Sequence, residues 1–371
     1  MPQVLITGGA GFIGSHVADH LLAAGYRVRV FDNGAVQVHG PLSGPPGYLA
    51  SEVEYVRGDV RDGAALERAL HGVDAVLHLA AMVGVGQSMY EVERYTAVNE
   101  LGTATLMQAL LERPVGRLVV ASSMSVYGEG RYLTGAGEVC DGAERDARRI
   151  RSGDWEPRDG AGAPLRAIAT PEEKMPSLRS VYALNKYAQE RMSLLIGEAY
   201  GIPTIALRLF NVYGTRQALS NPYTGVLAIF AARLLNGNRP RVFEDGAQRR
   251  DFVHVGDVAR ACRLALEAPR RVSGVFNIGS GDSRTVRDVA IELASTMGRP
   301  ELAPEITGRY RTGDVRHCFA NIDRAREVIG FEPRVAFEEG LEELVAWLAD
   351  ATAIDRVDQA TEELARRGLV A

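Results

Sequence analysis

Cysteine, tryptophan and lysine are scarce in this chain, and the scarcities are informative. Of 371 residues only three are cysteine, Cys140, Cys262 and Cys318, and they lie far apart. An odd, scattered set builds no disulfide framework and offers no zinc spacing, so no metal site and a reduced, cytoplasmic setting are expected. No apolar run is long enough to cross a bilayer. The N-terminus enters a strand pattern without the basic region, apolar stretch and cleavage site of a secretory leader, so no membrane partner is expected. A basic block is missing too. Net charge is -5 with the arginines scattered, which gives no support for a nucleic-acid partner. Among 42 basic side chains only Lys174 and Lys186 are lysine. A coding bias that replaces lysine wherever arginine will serve leaves it where a compact ammonium is needed.

What is present describes a globular α/β protein. The chain is 46% hydrophobic and 24% charged, enough for a large core and for two domains. It opens with Val4-Leu5-Ile6, a glycine-rich turn, helical spacing through Val17, Leu21 and Leu22, and a second strand from Arg27 to Phe31. That is one βαβ unit. Further strands are predicted at 53–57, 74–79, 117–121, 203–209 and 274–278. Helices are predicted at 62–71, 92–112, 180–199, 222–236, 256–267 and 284–296. The alternation predicts a Rossmann-type doubly wound parallel sheet with a smaller C-terminal α/β substrate domain. A cofactor-binding domain is placed at 1–210, with elements around 250–280 returning to it. A substrate-binding domain falls mainly at 211–350, and a C-terminal amphipathic helix is predicted over 351–371. Residues 34–51 and 128–176 read as loops. The second is long and polar, as a lid or binding loop can be, or else a disordered surface insertion.

Gly8, Gly11 and Gly14 fall where a strand turns into a helix. Such a turn lets a pyrophosphate approach the backbone, and the helix N-terminus offers it unpaired N–H groups. Phe12 and Ile13 belong to the same turn. Asp32 ends the next strand, where a carboxylate accepts the adenosine ribose hydroxyls and repels a 2′-phosphate, favouring NAD over NADP. Asn33 beside it brings no positive charge. Asp59, followed by Val60, either meets the adenine edge or caps a helix. Leu79, Ala80 and Ala81 end another strand with small side chains that allow close approach, and Asn99 completes the cofactor-binding set.

A serine-rich strand end holds Ser122, Ser123, Met124 and Ser125. Tyr182 and Lys186 stand four apart in a helical pattern and so share a face. A lysine ammonium beside the phenol is expected to lower the pKa of Tyr182 and make it a proton acceptor near neutral pH. Ser123 is expected to hold the same substrate oxygen.

These pieces together resemble the extended short-chain dehydrogenase/reductases, in the group of NAD-dependent nucleotide-sugar epimerases and dehydratases. The matching segments are TGGAGFIG at 7–14, Asp32, HLAA at 78–81, SSMSVYG at 122–128, YALNK at 182–186, LRLFNVYG at 207–214, RDFVHVGDVA at 250–259 and RTGDVRH at 311–317. The resemblance implies NAD as cofactor and a nucleotide-diphosphate sugar as substrate. It also implies a homodimer joined through helices 92–112 and 180–199. It assigns Asn211, Arg250 and Arg311 to the substrate diphosphate, where arginine forks suit phosphate oxygens. Asp314 either binds the nucleotide ribose or orders Arg311. Phe243 either stacks on the base or belongs to the core. Asp251 and His254 read as structural.

Met124 and Ser125 bear on the reaction. In related 4,6-dehydratases this pair is usually Asp-Glu, and in uronate decarboxylases a glutamate stands there. Neither carboxylate is present, which leaves a 4-epimerase as the favoured reading and dehydration or decarboxylation as alternatives. A simple reductase would consume free NAD(H). A non-catalytic, NAD-sensing interaction protein predicts loss of a catalytic residue, yet Ser123, Tyr182 and Lys186 are all in place. The 216–226 segment, including Val226, and the insertion before Tyr182 are similar to those of bacterial dTDP-L-rhamnose 4-epimerases, which form dTDP-6-deoxy-L-talose. Members of that group often carry paired cysteines in the insertion. Cys140 alone stands there, and another NDP-hexose or NDP-uronate remains an alternative substrate.

Overall fold

The computed structural model describes residues 1–311 and 313–370; Ala371, counted above in the C-terminal unit, lies outside them. Seven parallel strands form the central sheet: β1 (Gln3–Thr7), β2 (Arg27–Asp32), β3 (Glu54–Arg57), β4 (Ala75–His78), β5 (Arg117–Ser123), β6 (Thr204–Leu209) and β7 (Gly274–Ile278). Their spatial order is β7-β6-β5-β4-β1-β2-β3. The direction of winding reverses between β1 and β4, which opens a crevice at the carboxyl ends of those strands. Every residue of β1, β5 and β6 is buried, because helices cover both faces of a parallel sheet.

One face is sealed by α1 (Phe12–Ala23) and by the helix Val255–Glu267. Val17, Ala18 and Leu21 meet Val258, Ala261 and Cys262 in the same core. The opposite face carries the helical run Val92–Glu112 and α2 (Val181–Tyr200). Ser180 caps α2 by accepting the Ala183 N–H, and Gly201, in the left-handed region, ends it. Within the run from Val92, residues Ala97–Leu101 form a π-helical turn, a feature frequent near functional sites.

A second core gathers Leu227, Phe230, Leu234, Val289, Leu293, Phe337, Leu341 and Leu344. It belongs to a smaller unit built on the helices Val226–Leu235, Val286–Thr296 and Phe337–Leu348 with short strand pairs. Two expectations need correction. The 128–176 insertion is more than a loop: strands Arg131–Leu133, Val139–Cys140 and Arg166–Ile168 make an antiparallel sheet around Tyr132, Ala143 and Leu165. The C-terminal amphipathic helix is confined to Val357–Arg366. No helix among the described residues is long and apolar enough to cross a membrane, and no cluster of His, Cys, Asp and Glu among them could hold a metal ion.

Candidate functional site

The glycine turn sits at the crevice, between β1 and α1. Gly8 has φ +67°, and a Cβ there would come within 2.7 Å of the Ala80 Cα. A Cβ on Gly14 would stand 2.5 Å from the Gly8 carbonyl oxygen. Both positions therefore exclude side chains, and the end of β4 at Leu79, Ala80 and Ala81 closes directly against the turn. Gly11 precedes α1 without a side-chain cap. The first-turn N–H groups of Phe12, Ile13 and Gly14 thus have no intrahelical acceptor and face the crevice end of the helix. A dinucleotide pyrophosphate fits this cradle on both steric and electrostatic grounds.

Asp32 is buried at the end of β2. One carboxylate oxygen accepts the Ala10 N–H at 3.1 Å and the other the Gly34 N–H at 2.9 Å. Those bonds fix the carboxylate beside the glycine turn. Asp59 lies one strand further out, where Asn33 Nδ2 donates to it at 3.2 Å and Arg61 grips it at 2.8 Å. The Arg61 bond holds its carboxyl down at about 2. Asp59 does not cap the following helix. Asp62 does, accepting the Ala65 N–H. Val60 is buried and packs on Gly102, where a Cβ would meet it at 2.6 Å. Asn99, inside the π turn, is fully buried. It accepts from the Met82 N–H at 2.7 Å and donates to the Met82 carbonyl at 3.1 Å. Both ends of its amide are thereby engaged, and through them Asn99 positions the segment after β4.

Ser123 ends β5 and faces α2. Its Oγ accepts from the Ser125 N–H at 3.2 Å and from the Ser125 hydroxyl at 3.0 Å. With two bonds accepted, its own proton is free to donate. Tyr182 lies on the buried face of α2: burial pushes its phenol up to about 12, and the Ser123 hydroxyl pulls it the other way. The Tyr182 N–H donates to Ser88 Oγ at 3.0 Å, which ties the start of α2 to the segment after β4. Met124 begins the tight turn Met124–Tyr127 and packs on Val126, Phe210 and their neighbours.

Lys186 shares the buried face of α2, but its ammonium is engaged elsewhere. Nζ donates to Gln189 Oε1 at 2.9 Å, and burial lowers its pKa to about 7. The expected depression of the Tyr182 pKa by Lys186 is therefore corrected. Desolvation dominates at both groups, and the Ser123 hydroxyl is what pulls the phenol back down. Gln189 passes the contact on through Nε2 to Thr103 Oγ1 at 2.8 Å. Thr103 Oγ1 also lies 2.9 Å from His78 Nε2, and His78 Nδ1 lies 2.7 Å from Thr7 Oγ1. Burial holds His78 neutral, at about 3. Sequence reasoning missed this relay. Its only local sign was a glutamine three residues beyond Lys186 in a helix.

On the other side of the crevice, Asn211 begins the short strand Asn211–Tyr213, and its side-chain Oδ1 is buried without a partner. Val226 opens the helix Val226–Leu235 behind Gly225, again with no side-chain cap. Phe243 is half-buried beneath the Arg311 guanidinium, 4.8 Å from its ring centroid, and lies outside the cores. Arg311 pairs with Asp314 at 2.9 Å, and Arg250 lies 3.5 Å from the same carboxylate. Asp314 therefore orders both arginines here. Arg250 also donates to the carbonyls of Val315 and Arg316. Asp251 accepts from Ser280 and Gly281 N–H groups at 2.6 and 3.0 Å and so anchors the turn after β7. His254 caps the next helix through Nδ1. Lys174 is buried and donates to the Tyr127 carbonyl at 3.0 Å, a tie between the insertion and the Met124–Tyr127 turn.

Comparison with known proteins places this arrangement. The family model for the NAD dependent epimerase/dehydratase family matches residues 4–148 and 156–279. A dTDP-L-rhamnose 4-epimerase from Burkholderia thailandensis is 34% identical, over 94% of this chain and 95% of its own. A UDP-glucose 4-epimerase from Thermotoga maritima, solved with UDP-glucose, superposes with a TM-score of 0.76 at 32% identity, covering 94% of this chain and 98% of that one. A UDP-glucose 4-epimerase from Thermus thermophilus, solved with NAD, superposes with a TM-score of 0.74 at 32% identity, covering 94% and 100%.

Proposed function

This chain belongs to the NAD dependent epimerase/dehydratase family, and on that premise we propose that it is a 4-epimerase interconverting dTDP-L-rhamnose and dTDP-6-deoxy-L-talose. The observation that carries the reaction class is the Met124–Ser125 pair. Elimination across two carbons needs an acid and a base there, and neither side chain is a carboxylate. Ser125 instead has both its N–H and its hydroxyl bonded to Ser123. Similarity to the Burkholderia thailandensis enzyme supports the sugar.

NAD, when bound on the glycine turn and Asp32, supplies an acceptor for the C4 hydride and returns it. The remaining work falls to the chain. Tyr182, in its ionised form, takes the proton from the sugar O4 hydroxyl and gives it back, and the Ser123 hydroxyl, which lowers the phenol's pKa, favours that form. Lys186, when protonated, adds positive charge to the same buried region. Arg250, Arg311 and Asn211 hold the diphosphate, and Phe243 stands where a base can stack. With the diphosphate held, the 4-keto sugar can turn its other face to the hydride without leaving. The Rossmann unit is then the cofactor domain, and the 211–350 unit mainly the nucleotide-sugar domain. Exposed Leu101, Leu184 and Leu195 on the two helices named above support a homodimer.

The test is incubation with dTDP-L-rhamnose without added cofactor, followed by proton NMR of the sugar H4 couplings. A mixture of the two configurations is expected. An unchanged spectrum with NAD bound would remove the substrate. Tyr182→Phe should lose at least about a thousandfold in turnover while retaining NAD, and wild-type-like turnover would remove its role.

A further inference from the structure

The loop after β2 reaches across the glycine turn and is fastened on its far side. In the sheet, β2 and β4 flank β1 on opposite sides. The loops that leave them therefore stand on either side of the turn where a pyrophosphate is cradled. Gln37, from the loop after β2, donates Nε2 to Gln87 Oε1 at 2.9 Å, in the segment after β4. The same nitrogen lies 3.3 Å from Asn221 Oδ1, which belongs to the segment before the helix Val226–Leu235. Gln87 and Asn221 are buried. Gln87 is held in turn by the Tyr95 hydroxyl at 3.1 Å and by Glu91 at 2.9 Å, and Asn221 by the Tyr223 N–H at 3.1 Å. One amide thus joins three segments far apart in sequence. The same loop is pinned again where the Tyr48 hydroxyl donates to the Ala10 carbonyl of the glycine turn at 2.7 Å.

We propose that Gln37, Gln87 and Asn221 form a latch that closes over the bound dinucleotide and sets how slowly it leaves. The proposal rests on the reading of this protein as an epimerase that regenerates its dinucleotide each cycle. Such an enzyme has no use for exchange, and a released cofactor stops turnover. The receiving groups are held by their own partners, so Gln37 is the member that moves. Opening requires that its two hydrogen bonds break and that the Tyr48 hydroxyl release the Ala10 carbonyl, after which the loop can swing away from the turn.

The experiment measures the release of radiolabelled NAD from the full-length protein into an excess of unlabelled NAD by rapid gel filtration. Gln37→Met keeps the side chain's length and removes its donor. With both of its bonds gone it should release NAD at least about tenfold faster, the scale of one net hydrogen bond. Gln87→Met removes the main acceptor, and the double variant should release NAD no faster than the faster single one, since Gln37→Met already removes the bond that Gln87→Met breaks. Release from Gln37→Met at the wild-type rate would overturn the latch while leaving the epimerase reading intact. So would multiplicative acceleration in the double variant. Wild-type protein that sheds NAD within the first filtration would overturn the latch and the resident-cofactor reading together. Turnover of dTDP-L-rhamnose by the wild type, measured beside it, tests the sugar reading separately.

Discussion

Lys186 sits in the fold at an energetic cost. Its side chain is buried beside Gln189, and burial lowers its pKa from 10.5 to about 7. Between those values the unfolded chain holds a proton that the folded chain lacks, so stability rises with pH across that window. The penalty is fully present below about 7 and gone above the usual lysine value. Lys186→Met should therefore stabilise the protein by about 1–3 kcal/mol at pH 6, with the gain shrinking towards pH 10 as turnover is lost. Urea unfolding at pH 6, 8 and 10 measures it; an equal gain at every pH would mean that packing, not charge burial, is responsible. The sequence placed Tyr182 and Lys186 on one helical face correctly. It could not show that the ammonium turns towards Gln189, because that depends on Thr103 and His78 closing the other side.

Among the elements, the 128–176 insertion departs furthest from its sequence reading. Its strands are two or three residues long, too short for alternation to register, and its order comes from distant partners. Arg316, on the far side of the chain, is buried. It bonds Glu156 of the insertion at 2.6 Å, Asp245 at 2.6 Å and Glu244 at 3.0 Å. Arg145 of the insertion pairs with Glu244 at 2.6 Å and with Glu129 at 3.1 Å. Glu129 in turn accepts the Arg316 and His317 N–H groups. Removing one member of a buried network leaves its partners desolvated and uncompensated. Arg316→Met should destabilise the fold by about 3–5 kcal/mol and raise KM for the nucleotide sugar, because Arg311 and Asp314 stand just before it. Chemical denaturation and steady-state kinetics measure the two effects. A loss below about 1 kcal/mol would show that the insertion stays seated without this cation.

At the scale of the molecule, the C-terminal helix Val357–Arg366 joins the two units. Asp355 and Asp358 pair with Arg233 of the smaller unit at 3.3 and 3.1 Å. Leu364 is buried against Gly86, where a Cβ would meet it at 3.2 Å, and the Arg367 guanidinium lies 4.3 Å from the Tyr90 ring centroid. The backbone at Val370 pairs with Arg311. Ending the chain at Asp350 should cost about 2–4 kcal/mol, of which burial of Leu364 accounts for about 2. It should also raise KM more than it lowers kcat. Unchanged kinetics in a folded truncated chain would limit the helix to a structural role.

The sequence by itself determined the local geometry of this protein: a strand, a glycine turn and a helix at 3–23, an acid at the end of the second strand, and a tyrosine and a lysine one helical turn apart. Each depends on residue type and spacing along a single element, so each is legible without the fold. Tertiary structure alone decided which groups those elements meet. It set Asp62 rather than Asp59 as the cap, put the Lys186 ammonium on Gln189 and turned Arg250 and Arg311 towards Asp314. It also joined Gln37 to Gln87 and Asn221. These are pairings between residues far apart in the chain, or choices among neighbouring donors and acceptors. Burial, not spacing, decides which of them form.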